Sequence, residues 1–454
     1  MTKDRSNQGF HACATCGYAS PKWFGRCPDC GSWDIAAHGP AGDLQQASTS
    51  LDASLRTPGS ISTGIEEVDR VLGGGLVEGG VVLLAGEPGI GKSTLVLQVL
   101  AGVSAAGRKT LLATGEESLA QVSSRAARLG LQDKGVVATA AVAVTAAIAA
   151  SEKERPEVLV VDSIQTLHDP AVEQAPGSVP QVRECAARLV RHAKETGTSL
   201  VIVGHVTKDG TVAGPKTLEH VVDTVLFLEG ERTGSIRLLR VMKNRFGSCE
   251  ETGVFTMSER GLEVVADPSS MLLADRCAGM AGSAIFPALE GTRPVLAEMQ
   301  ALVAKSNAQP ARRVATGIDG KRLALILAVL SARTDLSFWD HDVYVAAAGG
   351  IAVKEPAADL AAAAALYSTM SDTILDPGLV VVGELGLGGE VRRVPAIDRR
   401  LAEASRMGFT SALAPRGVER PPPGLRIIEV SHIRDAFAHL ATLTARPEAV
   451  AAAW

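Results

Sequence analysis

The stretch Val81-Val-Leu-Leu-Ala-Gly86-Glu-Pro-Gly-Ile-Gly91-Lys92-Ser93-Thr94 decides how this chain is read. Five apolar residues run without a break from Val81 to Ala85 and stop at a glycine, the pattern of a strand buried on both faces. Gly86 to Thr94 then satisfies G-x-x-x-x-G-K-[S/T], and an apolar helical stretch follows from Leu95. In that strand–loop–helix setting the glycines let backbone N–H groups converge on phosphate oxygens at a helix N-terminus. Gly86, Glu87, Pro88, Gly89, Ile90, Gly91, Lys92, Ser93 and Thr94 are therefore expected to cradle the phosphates of a nucleotide. Lys92 would reach the β- and γ-phosphates and the Ser93 hydroxyl would ligate Mg2+.

Further apolar runs end in polar groups suited to the same site. Val158-Leu-Val-Val-Asp162-Ser163 brings an acid to the carboxyl edge of a strand, where ligands of open α/β sheets bind. Asp162 is expected to support the metal. Thr110-Leu-Leu-Ala-Thr-Gly-Glu116-Glu117-Ser118 places two carboxylates past another strand. Glu116 is the first choice for the group that orients water and Glu117 the second, the alternative being that the pair caps the next helix. Leu200-Val-Ile-Val-Gly-His205 ends a third strand. His205 is either a γ-phosphate sensor or a structural histidine.

Helical spacing at 93–105 and 182–196 alternates with these runs and with another at 222–228, so residues 59–269 read as a parallel α/β unit. Stretches 235–242 and 253–258 read as a strand pair that closes it. Residues 38–58 (HGPAGDLQQASTSLDASLRTP) lack apolar periodicity and read as a linker. From 270 to 454 the pattern is mixed α/β and alanine-rich, with helices expected at 321–332 and 357–370 and strands near 343–347 and 379–382. With 454 residues, 46% of them hydrophobic, the chain is not a disordered one. Its net charge of −5 excludes a globally basic nucleic-acid coat. The N-terminus shows no apolar signal segment, and the least charged stretch, 136–150, is too short to span a bilayer. A soluble cytoplasmic protein without membrane contact is expected.

Cys13-x2-Cys16-x10-Cys27-x2-Cys30 forms two CxxC pairs, each followed by a glycine. Four thiolates suit tetrahedral Zn2+, and a segment of 37 residues needs such a staple to fold. We expect a closed, structural four-cysteine zinc knuckle over 1–37 rather than two disulfides or free thiols.

Arg237, Arg240, Lys243 and Arg245 place four cations in 237–247 without an acid, ending in Lys243-Asn-Arg-Phe246-Gly. Three uses stay open: a solvated hairpin edge, cations projected into a neighbouring subunit's ATP site, or single-stranded nucleic acid held by phosphate contacts and stacking on Phe246.

Leu72-Gly-Gly-Gly-Leu76, Gly79-Gly80 and the phosphate loop resemble the opening of a RecA/KaiC-type ATPase core. With the four-cysteine knuckle and the pentad KNRFG, nearly the whole chain is similar to the bacterial RadA (Sms) family of DNA-repair and recombination ATPases. That resemblance implies a RecA-like P-loop core, with a C-terminal Lon-protease-like domain over 270–454. It also implies a homo-hexameric ring and single-stranded DNA in the channel, with branch migration of recombination intermediates as the activity. A strand-exchange recombinase or helicase would be the partner. Residues 204–220 are similar to the family's post-strand loop, which makes Lys208 and Lys216 expected DNA contacts beside Lys243, Arg245 and Phe246. Lys243 and Arg245 are also expected to act on ATP. The alternative is a KaiC-like regulatory ATPase that remodels protein partners.

Lon proteases pair a serine with a lysine. The comparable positions here hold Ala357 and Asp398. Neither can fill those roles, so proteolysis is not expected. Lys354, Arg392 and Arg393 remain as surface cations or phosphate contacts.

Overall fold

The computed structural model describes residues 11–13, 19–20, 26–28, 35–37, 59–205, 217–230, 236–277, 279–307, 310–350, 353 and 355–444. The chain divides into two compact units, Met1–Thr57 and Pro58–Trp454. In the first, His11–Cys13 pairs antiparallel with Ala19–Ser20 on one side and Ile35–Ala37 on the other. Cys27 is buried. Cys16 and Cys30 lie outside the described residues, as do Lys208, Lys216 and Lys354.

The second unit contains a nine-stranded and a seven-stranded sheet. The strands of the first are β1 (Val81–Gly86), β2 (Thr110–Thr114), β3 (Val137–Ala140), β4 (Val158–Asp162), β5 (Ser199–His205), β6 (Thr224–Glu229), β7 (Ile236–Asn244), β8 (Thr252–Ser258) and β9 (Gly261–Val264). Their order is β9-β8-β7-β6-β1-β5-β4-β2-β3. The six strands from β6 to β3 are parallel, and β7, β8 and β9 add an antiparallel edge. Alternate residues of the central strands feed opposite cores. Val82, Leu84, Val160 and Val203 pack on one face with the helix Lys92–Ala105, and Val81, Leu83, Val161 and Ile202 pack on the other with Val179–Thr196. Burial on both faces is why these strands read as unbroken apolar runs. The low-charge stretch near 136–150 is β3 at the sheet edge followed by a helix, Val144–Glu154. Among the described residues, no helix is long and apolar enough to cross a membrane.

The helix Pro268–Leu273 leads into the second sheet. Its strands are β10 (Ser283–Glu290), β11 (Arg293–Lys305), β12 (Arg313–Thr316), β13 (His341–Ala347), β14 (Leu379–Val381), β15 (Ser411–Pro415) and β16 (Arg426–Val430), in the order β12-β13-β11-β10-β14-β15-β16. The helix Gly320–Arg333 spans the expected 321–332. The expected 357–370 begins as a short turn, Pro356–Ala358, before the helix Asp359–Met370. That second helix is buried on nearly every side, from Asp359 to Leu366 and again at Ser368. Alanines there admit close packing against β10 and β11, which accounts for the composition.

One of the three open uses is narrowed. Arg237 to Asn244 are not a solvated edge, because β7 lies inside the sheet between β6 and β8, whereas Arg245 to Gly247 are exposed just past its end. Its arginines meet acids from distant parts of the chain. Arg240 bonds Glu229 and Glu290, and Arg237 is buried with its Nε donating to the Ile90 carbonyl at 3.2 Å.

Candidate nucleotide site and basic strand

The loop after β1 turns on glycines with positive φ, two of which, Gly86 and Gly91, leave no room for a side chain. At Gly91 φ is +117°, and a Cβ would stand 2.5 Å from Met257 Cε. Pro88 and Gly89 are exposed at the crest, Glu87 and Ser93 half-buried, and Ile90 packs inward. Lys92 opens the helix and is 3% exposed. Its Nζ donates to the carbonyls of Gly86 at 2.8 Å and Glu87 at 2.9 Å. Burial pulls its pKa down to about 8, against the carboxylates of Asp162 and Glu116, which favour the charge.

The neighbouring strands end around this loop. Asp162 closes β4 and is buried, and burial raises its pKa, partly offset by a hydrogen bond from Ser93. Its Oδ1 is buried without a hydrogen-bond partner. A carboxylate oxygen left so is costly unless something cationic faces it. The pair Ser93 and Asp162 thus fits an oxygen-seeking Mg2+.

Glu116 follows β2. Its Oε1 accepts from His205 Nε2 at 2.8 Å and from the Ser163 hydroxyl. The His205 bond, with Ser163 and Lys92, holds the Glu116 pKa down at about 2 despite partial burial. So weak a base does not take a proton from water near neutral pH; it can accept a hydrogen bond and hold a water in place. Glu117 forms an ion pair with Arg125 yet stays near enough for its charge to help raise the Asp162 pKa, while Ser118 caps the helix Leu119–Arg128 in a capping box with Gln121. The capping reading thus falls to Ser118, and both glutamates stand near the acid that ends β4, Glu116 through its bond to Ser163 and Glu117 through its charge. Sequence reasoning missed Ser163 and Gln165. Ser163 bonds Glu116, and Gln165 Nε2 donates to the His205 carbonyl at 3.3 Å. Both follow Asp162 in the short run Ser163-Ile-Gln165, a proximity that was the available signal.

The pentad lies elsewhere. Thr224 pairs with Val82 on one side and Asn244 on the other, whereas Leu228 pairs with Gly86. Lys243 and Asn244 thus sit by the start of β1, about 13 Å along the strand from the loop, so Lys243 and Arg245 are turned away from their own chain's phosphate site. A register shift between Val225 and Leu226 leaves Met242 as an extra residue just before Lys243. Lys243 Nζ donates to the carbonyls of Glu219 at 2.5 Å and Val222 at 2.7 Å. Arg245 Nη1 reaches Asp223 at 3.3 Å, and Asp223 also takes Lys194 at 2.6 Å. Phe246 is 44% exposed. In the C-terminal region, Ala357 is buried, Arg392 pairs with Glu390, and Arg393 donates to the Arg416 carbonyl.

Comparison with known proteins adds to this geometry. Residues 48–211 match the family model described as an AAA domain, and residues 11–34, which hold all four N-terminal cysteines, match a rubredoxin metal binding domain. The chain is 44% identical to the DNA repair protein RadA of Pseudomonas aeruginosa over 94% of its length and 97% of that protein's. It is 43% identical to the RadA of Bacillus subtilis, with 94% and 97% covered. It is 45% identical to that of Aquifex aeolicus, with 95% and 98% covered. The phosphate loop, the acid at the end of β4 and the four-cysteine segment thus stand in a chain that belongs, over nearly its whole length, to the family of the DNA repair protein RadA.

Proposed function

We propose that this chain is an ATP hydrolase of DNA repair that binds single-stranded DNA and drives branch migration of recombination intermediates. The observation that carries the reading is the contact between Glu116 and His205. It joins the carboxylate that orients water to the residue immediately before the segment 206–216, which carries Lys208 and Lys216. A ligand bound through Lys208 or Lys216 would be joined by the chain itself to the hydrolytic site.

Lys92 binds the β- and γ-phosphates, and Ser93 and Asp162 hold Mg2+, which when bound offsets phosphate charge. Glu116 keeps its second oxygen for a water aimed at the γ-phosphate, and Ser163 fixes the first. Lys243 and Arg245, set away from their own loop, act in trans on a neighbour's nucleotide or on DNA beside Phe246. That placement supports a ring, a homo-hexamer in this reading.

Residues 1–37 form a zinc knuckle on Cys13, Cys16, Cys27 and Cys30, 38–58 a linker, 59–269 the ATPase domain and 270–454 a Lon-like scaffold that cuts no peptide bond. The protein works in the cytoplasm with a strand-exchange recombinase or helicase. A three-strand branch-migration assay with ATP tests this: parent protein moves the junction, and Lys92→Ala does not. Turnover indifferent to single-stranded DNA at every salt concentration would instead favour the KaiC-like protein remodeller.

A further inference from the structure

The turn between β10 and β11 belongs to the second sheet, yet its bonds go to a strand of the first sheet and to segments that flank it. Glu290, 7% exposed, accepts from Arg240 in the middle of β7, and the same guanidinium reaches Glu229 on β6. Arg293 donates to Glu67 at 2.8 Å and to the Ala266 carbonyl at 2.9 Å. Thr292 bonds Glu251 at 2.9 Å. Gly291 has φ +65°, and a Cβ there would collide with the Glu250 carbonyl, so the turn packs closely on the connection between β7 and β8. Behind it, the Leu289 N–H donates to Glu355 at 2.8 Å, and Glu355 is clamped by the fully buried Arg400. The turn is therefore anchored in the core of its own sheet.

What it grips is the strand with chemistry at both ends. Arg237 touches the phosphate loop through the Ile90 carbonyl, and Lys243 opens the pentad three residues beyond Arg240. We propose that Glu290 is a positioning residue for ATP hydrolysis. Acting through Arg240, it fixes the height and tilt of β7 so that Lys243 and Arg245 are presented at the right place. The inference rests on the reading that the pentad acts on nucleotide in trans. It gives the C-terminal region a part in turnover separate from scaffolding or DNA contact.

The test uses the full chain, measuring steady-state ATP turnover with single-stranded DNA for Glu290→Gln, Arg240→Gln, the double variant, Lys243→Ala and Asp267→Asn. Asp267, the N-cap of the helix that leads from the first sheet into the second, pairs with Arg406 at 2.9 Å and with no residue of β7. Glu290→Gln is expected to lower kcat about tenfold with KM for ATP within about twofold, since displacing a reacting group costs turnover rather than ground-state binding. The double variant should lose no more than the worse single, and Asp267→Asn should match the parent. Normal kcat in Glu290→Gln beside an inactive Lys243→Ala overturns the positioning role and spares the pentad reading. A normal Lys243→Ala overturns both. An equal loss in Asp267→Asn shows that docking in general, not this contact, governs turnover, and overturns the proposal. Should Glu290→Gln not fold, Arg240→Lys replaces it with the same outcomes, because it keeps the charge and removes the fork that spans Glu229 and Glu290.

Discussion

His205 Nε2 stands 2.8 Å from Glu116 Oε1, linking the end of β5 to the residue that follows β2 across the mouth of the nucleotide site. His205 directly precedes 206–216, the stretch that carries Lys208 and Lys216. Its removal should separate hydrolysis from DNA. His205→Ala is expected to keep its affinity for ATP within about twofold while the stimulation by single-stranded DNA falls toward unity, a coupling of about 1–3 kcal/mol. Turnover with and without oligonucleotide, at fixed salt, measures it.

Glu116 carries a low pKa, about 2, because the ion-paired and hydrogen-bonded form is the carboxylate. A depressed pKa means the charge is present above that value and lost only as pH falls through it. Glu116 is therefore ionised at every pH where turnover can be followed. Glu116→Gln should lower kcat by a factor of about 10²–10³ without moving the acid limb of the pH–rate profile. A limb shifted by the substitution would mean Glu116 titrates in the working range.

Lys243 ties the pentad to the segment that follows 206–216 through the carbonyls of Glu219 and Val222. Lys243→Met leaves both without that donor. Amide hydrogen exchange over 217–223 is expected to quicken by about tenfold, a loss of about 1.4 kcal/mol in local opening energy, while 81–86 keeps the parent's rates. Unchanged exchange in 217–223 would show that the ammonium does not hold that segment.

Arg400 is the largest of the fully buried side chains and donates to Glu355 at 2.9 Å and to the carbonyls of Pro287 and Pro395 at 2.7 and 2.9 Å. Arg400→Ala strands a carboxylate and two carbonyls, for a loss of about 3–5 kcal/mol. Arg400→Lys should recover less than half, since an ammonium cannot span the planar fork. Urea unfolding followed by circular dichroism gives both values.

Thiol counting tests the N-terminal cluster. Cys249 and Cys277 are exposed, and Cys185 is fully buried with its thiol pushed up to about 11 by burial. Alkylation at pH 8 should label only those two exposed thiols in native protein, four more once a chelator removes zinc, and Cys185 only in denaturant. Six labelled thiols without chelator would rule out the zinc knuckle.

Much of the nine-stranded sheet is legible in sequence because its strands are short, apolar on both faces and terminated by residues with a job. Val81–Gly86 and Val158–Asp162 show this most plainly. The hairpin of β10 and β11 is harder to see. Pro287 interrupts the first strand, and buried Glu298 breaks the apolar pattern of the second. The basic stretch misleads for a related reason. It holds no acid within eleven residues, but Asp223, Glu229 and Glu290 are brought to it by pairing across the sheets. A local window carries no trace of partners supplied by the fold. The different partners of Glu116 and Glu117 are equally invisible, since His205 and Arg125 are reached by tertiary geometry.

The strand β7 also constrains how this chain can change over time. Arg237, Arg240 and Lys243 meet the phosphate loop, the turn of the second sheet and the 219–222 carbonyls, three unrelated neighbours spaced along one rigid element. Because side chains alternate, gaining or losing a single residue between Arg237 and Arg240 would reverse one cation relative to the other and break two of these contacts at once. Substitutions can be absorbed one at a time, but a change of length cannot. Within this family, insertions and deletions should be found in the flanking turns and not in the seven residues from Arg237 to Lys243.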